Sequence, residues 1–220
     1  MLDNLLELIK IFRYDIYYIY IILAFFTYFC IRRQYESIFN IVSFISFAHV
    51  SRMILKVMLK IPHPNPAFTH TLAFPSSEVF MEIAIICSLL YYTVKNRKFF
   101  LTSFVAMCIY AVWRVVYFGW HDIIDALGGC LAVIAVFALY FLVIKKKFSL
   151  KQLLFFNFYF PFVVSVLLRP RSDLYVNTNT YKHFVPWGTR CLICYILLYI
   201  IENKQLIKEK IVQIKSKFVK

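Results

Sequence analysis

Glycine is scarce in this chain, with four in 220 residues, and no G-x-G-x-x-G or G-x-x-x-x-G-K run is present. Nucleotide chemistry that depends on a glycine-rich phosphate loop is therefore excluded. Acidic residues are also few, 11 Asp and Glu against 25 Lys and Arg, for a formal net charge of +14. No H-E-x-x-H or comparable ligand spacing suggests a metal site, and none is expected. The stretch before Arg32-Arg33 lacks the basic start and small-residue cleavage site of a signal peptide. There is no internal repeat, low-complexity tract or linker, so residues 1–220 read as a single integral membrane domain. The six cysteines lie in apolar segments, and Cys191-Leu-Ile-Cys194 falls inside a predicted helix. They read as small apolar filler rather than redox or zinc chemistry.

Apolar sequence is abundant. Hydrophobic residues make up 62% of the chain and aromatics 20%, with a mean hydropathy of +0.71. Soluble domains sit nearer 45–50% apolar. Apolar runs of about 16 to 22 residues recur, long enough to cross or nearly cross a bilayer core. They lie at about 14–31, 37–60, 77–94, 99–119, 122–144, 152–168 and 185–201. Pro161 interrupts the sixth and Arg190 lies within the seventh. Residues 1–12 read as a lead-in or interfacial helix. The expected fold is all-α, a polytopic membrane helix bundle of about six to seven transmembrane helices. The motif-bearing core covers about 37–144, and 145–220 adds two spans and a basic cytoplasmic tail.

The positive charge is not spread as a nucleic-acid-binding surface requires. It clusters in alternate connections: Arg32 and Arg33; Lys95, Arg97 and Lys98; Lys145, Lys146, Lys147 and Lys151; and the tail from Lys204 to Lys220. Seven spans put all four clusters on one side, which the positive-inside rule makes cytoplasmic. The basic tail then faces anionic headgroups, and no nucleic-acid partner is expected. The connections 61–76, 120–121 and 169–184 fall outside.

Polar chemistry collects on that outer side. Arg52, Lys56 and Lys60 recur every four residues on one helix face, and His63 follows between two prolines. Pro75 precedes Ser76 and Ser77, good helix caps, and a helix starting there directs backbone N–H groups outward as an anion site. Glu78 and Glu82 lie one turn apart on it. Arg114 ends the fourth span, and His121 and Asp125 share a face at the start of the fifth, beside Asp122. Each has an ordinary structural explanation: snorkelling lysines, a capping serine, a capping His–Asp pair. Together, ionisable groups at a membrane rim mark a functional site. Cations, a helix N-terminus and a neutral histidine held by a carboxylate suit an anionic phosphoryl group.

These residues resemble the type-2 phosphatidic acid phosphatases, membrane lipid phosphatases and phosphotransferases related to vanadium haloperoxidases. That family carries Lys-x6-Arg-Pro, Pro-Ser-Gly-His and Ser-Arg-x5-His-x3-Asp. The corresponding stretches here are Lys56-x6-His63-Pro64, Pro75-Ser76-Ser77-Glu78 and Arg114-x6-His121-x3-Asp125, in the same order, over about residues 52–130. His63 stands in place of the family arginine, Glu78 of the histidine, Ser77 of the glycine and Trp113 of the serine. The resemblance implies a metal- and cofactor-free enzyme of a bacterial cytoplasmic membrane, its site facing the periplasm and its substrate a lipid phosphate or diphosphate. It implies that His121 forms a phosphohistidine and Asp125 orients it. Lys56, Arg114, Ser76 and Ser77 would hold phosphoryl oxygens, and Glu78 or His63 would protonate the leaving oxygen. The lipid, the oligomeric state and the choice between hydrolysis and transfer stay open.

Two other readings accompany it. In one, the substituted motifs belong to a degenerate member that binds or carries a phospholipid or polyprenyl phosphate without chemistry. In the other, the chain is a transporter, which requires polar residues to continue past His49 through the bilayer midplane. The outer stretch holding Arg169, Arg171, Lys182 and His183 reads equally as a headgroup lid or a solvated loop with interfacial aromatics. The alternation of basic loops predicts that Asn65→Cys and Asn96→Cys, each in a cysteine-free background, label with membrane-impermeant thiol reagents from opposite sides. Labelling from the same side would remove the common outer face.

Overall fold

A computed structural model describes residues 16–59, 61, 73–168 and 180–204. His63 and Pro64, Arg169 and Arg171, and the segments 1–15 and 205–220 lie outside these. The described residues contain helices and no strand. The helices are α1 (Ile16–Ile31), α2 (Tyr35–Leu59), α3 (Ser77–Thr93), α4 (Arg97–Tyr117), α5 (Ile123–Ala138), α6 (Leu150–Leu168) and α7 (Thr180–Glu202). α5 continues through a π-helical turn, Leu139–Ile144, into Lys145–Lys147. Pro161 does not break α6, which runs through it.

Among the described residues, three helices are long and apolar enough to cross a membrane: α2, α4 and α5 with its extension, Ile123–Lys147. The described part of α1, and α3, have 16 and 17 residues, short of the roughly 20 that a bilayer core requires. α6 contributes the shorter apolar stretch Leu150–Val164. The described residues thus bear out an all-helical protein with three helices of spanning length and composition.

The chain divides into two compact units, residues 1–38 and 39–220. In the first, α1 ends in a turn through Arg33, which adopts φ 55°, and the Arg32 guanidinium stacks on the Tyr28 ring. In the second, α2 is the central element, with every residue from Phe39 to Val50 buried. One side of it meets α5 through Phe44, whose ring lies 5.2–5.4 Å from those of Phe137, Tyr140 and Phe141. Another side meets α6, where Phe47 stacks on Phe160 and Val50 packs with Val164. α3, α4 and α5 pack mutually, and α6 packs along α7.

Polarity is inverted relative to a water-soluble bundle. The outward faces of α4 and α5 are apolar, with Ile109 66%, Ile124 72% and Leu131 68% exposed. The interior holds Asn40, Ser43, Ser46, His49, Glu82, Ser88 and Asn157. Exposed apolar surface on this scale is stable only against lipid or protein, while buried polar groups must find partners inside. They do so around Ser43. The Tyr140 hydroxyl donates to Ser43 Oγ (2.7 Å), and Asn157 Nδ2 donates to Ser43 Oγ and to its carbonyl (2.8 and 3.0 Å). Three helices are joined at one serine. Interhelical hydrogen bonds in membranes contribute about 0.6–2 kcal/mol, so Tyr140→Phe is expected to lower unfolding free energy in mixed SDS micelles by that amount. An unchanged midpoint would show that the Ser43 junction carries no stability.

Candidate functional site

Helix α3 starts where three segments meet. Ser76 caps it, its Oγ accepting from the Val79 N–H (3.4 Å) and its carbonyl from the Phe80 N–H (3.1 Å). The Ser76 N–H donates to the Asp125 carbonyl (3.0 Å), which ties the head of α3 to the first turn of α5. This approach needs Gly129: a Cβ there would lie 3.0 Å from the Ser76 carbonyl oxygen and 3.2 Å from Val79 Cβ. The neighbouring Gly128 leaves space for the Phe74 ring. The third segment enters from α2, where the Ile61 carbonyl accepts from the Ala73 N–H (2.9 Å).

The turn from α4 to α5 is a Schellman closure. The Trp120 N–H donates to the Val115 carbonyl, the Gly119 N–H to Val116, and Gly119 adopts φ 66°, a conformation that favours glycine. The turn folds Trp120 back over Arg114, with the guanidinium carbon 5.4 Å from the ring centroid, and delivers His121 to the bundle interior, 8% exposed.

There the imidazole lies between two carboxylates. Nε2 is 2.8 Å from Glu78 Oε2, and Nδ1 is 3.6 Å from Asp125 Oδ2, an ion-pair rather than hydrogen-bond distance. The Glu78 side chain is 45% exposed while that of His121 is 5% exposed, so the glutamate covers the ring from the open side. A ring nitrogen and a carboxylate oxygen 2.8 Å apart have a proton between them. Lys56 is buried, with Nζ 3.4 Å from the Ala73 carbonyl, and lies in the electrostatic field of Arg52, Glu78 and Asp125. Arg52 faces the His49 ring (3.4 Å) and also lies in the field of Glu78. Arg114 donates to Glu82 Oε2 at 2.6 Å, in a pair with side chains 9% and 1% exposed.

Among the residues expected from sequence, His121, Asp125 and Glu78 thus touch or nearly touch, and Lys56 stands beside them. Arg114 is placed against Glu82 and Trp120. Ser76 is buried, with its hydroxyl capping α3 and its N–H engaged by Asp125. Ser77, half-buried, is the first residue of α3. His63 lies outside the described residues. No family model, curated protein or solved structure matches this chain.

The sequence reading did not assign roles to Glu82, Trp120, Gly129 or Arg52. Two of them carried a signal in their spacing. Glu82 repeats Glu78 one turn on, and Arg52 repeats Lys56 one turn back. Among the described residues, the cations Arg52, Lys56 and Arg114 and the carboxylates Glu78, Glu82 and Asp125 gather around His121. Removing one partner of a buried pair strands the other charge, at a cost of about 3–5 kcal/mol. Glu82→Ala is expected to destabilise the protein by that amount in mixed-micelle unfolding. The double variant Glu82→Leu/Arg114→Met should recover most of the loss, because apolar side chains of similar volume replace a buried pair at little cost. A single-variant loss below about 1 kcal/mol, the level of an exposed pair, would contradict a buried Glu82–Arg114 contact.

Proposed function

We propose that this protein is a multi-pass membrane phosphatase or phosphotransferase of six or seven spans, acting on a lipid phosphate or diphosphate through a phosphohistidine at His121. The observation that supports this reading best is the Glu78–His121–Asp125 arrangement at the head of α3. On this reading the resting imidazole is protonated on both nitrogens and held by two carboxylates. A phosphoryl group entering over Glu78 brings negative charge to it and favours moving the Nε2 proton onto the carboxylate. That one transfer frees the Nε2 lone pair for attack and creates a neutral acid beside the leaving oxygen. The N–P bond forms as the P–O bond breaks, and Glu78 gives its proton to the departing alkoxide. In the second half Glu78 takes a proton from water or an acceptor alcohol, which attacks phosphorus as the N–P bond breaks. Glu78 then returns the proton to Nε2, so charge and protons balance over the cycle. Asp125, 3.6 Å from Nδ1, stabilises the imidazolium through its charge, while Lys56, Arg52 and the amides opening α3 would supply positive potential to the phosphoryl oxygens. The site faces the periplasm of a bacterial cytoplasmic membrane if the basic connections lie inside.

One observation favours the binding-only alternative. Arg114 is occupied by Glu82, and Lys56 lies in the field of Glu78 and Asp125. A site paired in this way holds a phosphate by exchange of partners, and turnover is not required of it. The transporter reading has less support: the polar residues along α2 bond across the helices at Ser43 and tie them together.

Phosphate release from a panel of lipid phosphates and diphosphates, measured with purified protein, tests the proposal. His121→Ala should abolish release without loss of folded protein, and vanadate should inhibit the wild type. Glu78→Gln should slow alkyl phosphates by about 10²–10⁴-fold, the range for general acid catalysis, with a smaller effect on aryl phosphates, whose leaving group needs no proton. Equal rates for wild type and His121→Ala would sink the mechanism. Binding of the same lipids without any turnover would establish the binding-only alternative.

A further inference from the structure

At the end of the bundle away from His121, the last turns of α3, the start of α4 and the end of α5 enclose a cleft of about 660 Å³. That volume lies within the roughly 300–1,000 Å³ of small-ligand sites. Its depth is aromatic: Phe100 stacks with Phe104 and Phe137 at 6.4 and 6.5 Å, and Tyr91 and Phe137 each lie 4.4 Å from Phe141. Its flank is formed by Leu101 and Leu142, 59% and 62% exposed, on the same apolar outer surface of α4 and α5 that no other described helix covers. Its mouth carries Lys95, Arg97 and Lys146, all exposed, and no Asp or Glu lines it. A fourth cation, Lys145, lies outside the lining, over the Tyr91 and Phe141 rings, and donates to the Tyr92 hydroxyl.

We infer that this cleft binds an anionic membrane phospholipid, its phosphate among Lys95, Arg97 and Lys146 and one acyl chain against the Phe100–Phe137 wall. Charge complementarity selects the headgroup, because three cations without a carboxylate fit a phosphodiester bearing a net negative charge and not a zwitterion. The apolar flank selects the source. A soluble phosphate gains nothing from aromatic walls open towards lipid, whereas an acyl chain replaces its contacts with neighbouring chains by contacts with the rings. The site is separate from His121 in position and in kind, since neither a carboxylate nor an imidazole lines it. It is the basic end of the protein, where connections rich in Lys and Arg meet anionic headgroups.

Spin-labelled phosphatidylglycerol and phosphatidylcholine, with the label far down one acyl chain, are incorporated in turn into nanodiscs holding the full chain. The immobilised fraction is read by electron spin resonance. Phosphatidylglycerol should be immobilised in excess over phosphatidylcholine, and each cation removed should reduce that preference on the order of fivefold, up to its complete loss. The variant Lys95→Gln/Arg97→Gln/Lys146→Gln should therefore abolish it. Leu101→Trp, an exposed position whose change leaves every cation in place, should reduce it by narrowing the flank. Glycerol 3-phosphate in the buffer should not displace the label. Equal immobilisation of the two lipids by wild type would overturn the site. So would a preference that survives both variants, because it would then belong to the general surface charge. Displacement by glycerol 3-phosphate would overturn the assignment to a lipid.

Discussion

The close approach of two backbones governs the site. Ser76 donates its N–H to the Asp125 carbonyl across a surface where Gly129 has no side chain. This single contact places the first turn of α3, with Glu78, beside the first turn of α5, with Asp125 and the preceding His121. A methyl group on Gly129 would meet the Ser76 carbonyl oxygen at 3.0 Å, tighter than packed interiors tolerate without backbone movement. The chain has few glycines, and the three nearest the site are spent on its geometry: Gly119 on the turn, Gly128 beside the Phe74 ring and Gly129 on the crossing.

Electrostatics impose the second constraint. Ionisable side chains inside an apolar bundle persist only when paired. Arg114 with Glu82 and His121 with Glu78 satisfy this across helices rather than within one. The pairs therefore also hold α3 against the α4–α5 turn. Trp120 covers the Arg114 guanidinium, and the same side chains serve stability and the proposed chemistry.

Much of this organisation was legible in the sequence. The bounds of the helices follow the apolar runs within a few residues, because a chain with unbroken apolar stretches and few glycines has no alternative to helix in lipid. The segments around Lys56, Ser76 and His121 read as partners from their charge and their places at helix ends; in the structure Ser76 meets the first turn of α5 directly, and Lys56 reaches the Ala73 carbonyl just before α3. Pairing was not legible. Glu82 reads as a repeat of Glu78, yet the two take different partners, since residues one turn apart on α3 reach different levels of the neighbouring helices. Nothing in a linear pattern assigns Arg114 to Glu82, because the two meet only after α3 and α4 pack. Ser76 read as a candidate for phosphate, and its amide and hydroxyl serve the helix start and the α3–α5 crossing. Length sets the helices apart: α2, α4 and the extended α5 are long enough to cross a bilayer, while α3 stops at 17 residues.

The paired charges around His121 also bear on how a ligand finds the pocket. Opposing groups a few ångströms apart cancel beyond about one Debye length, roughly 8 Å at physiological ionic strength. The described pairs therefore add little long-range field of their own, and they do little to steer a dissolved anion. An amphiphile confined to the leaflet searches in two dimensions, already at the right depth and with its headgroup already oriented. For such a molecule the bilayer does the steering, and the protein has only to exchange partners at close range.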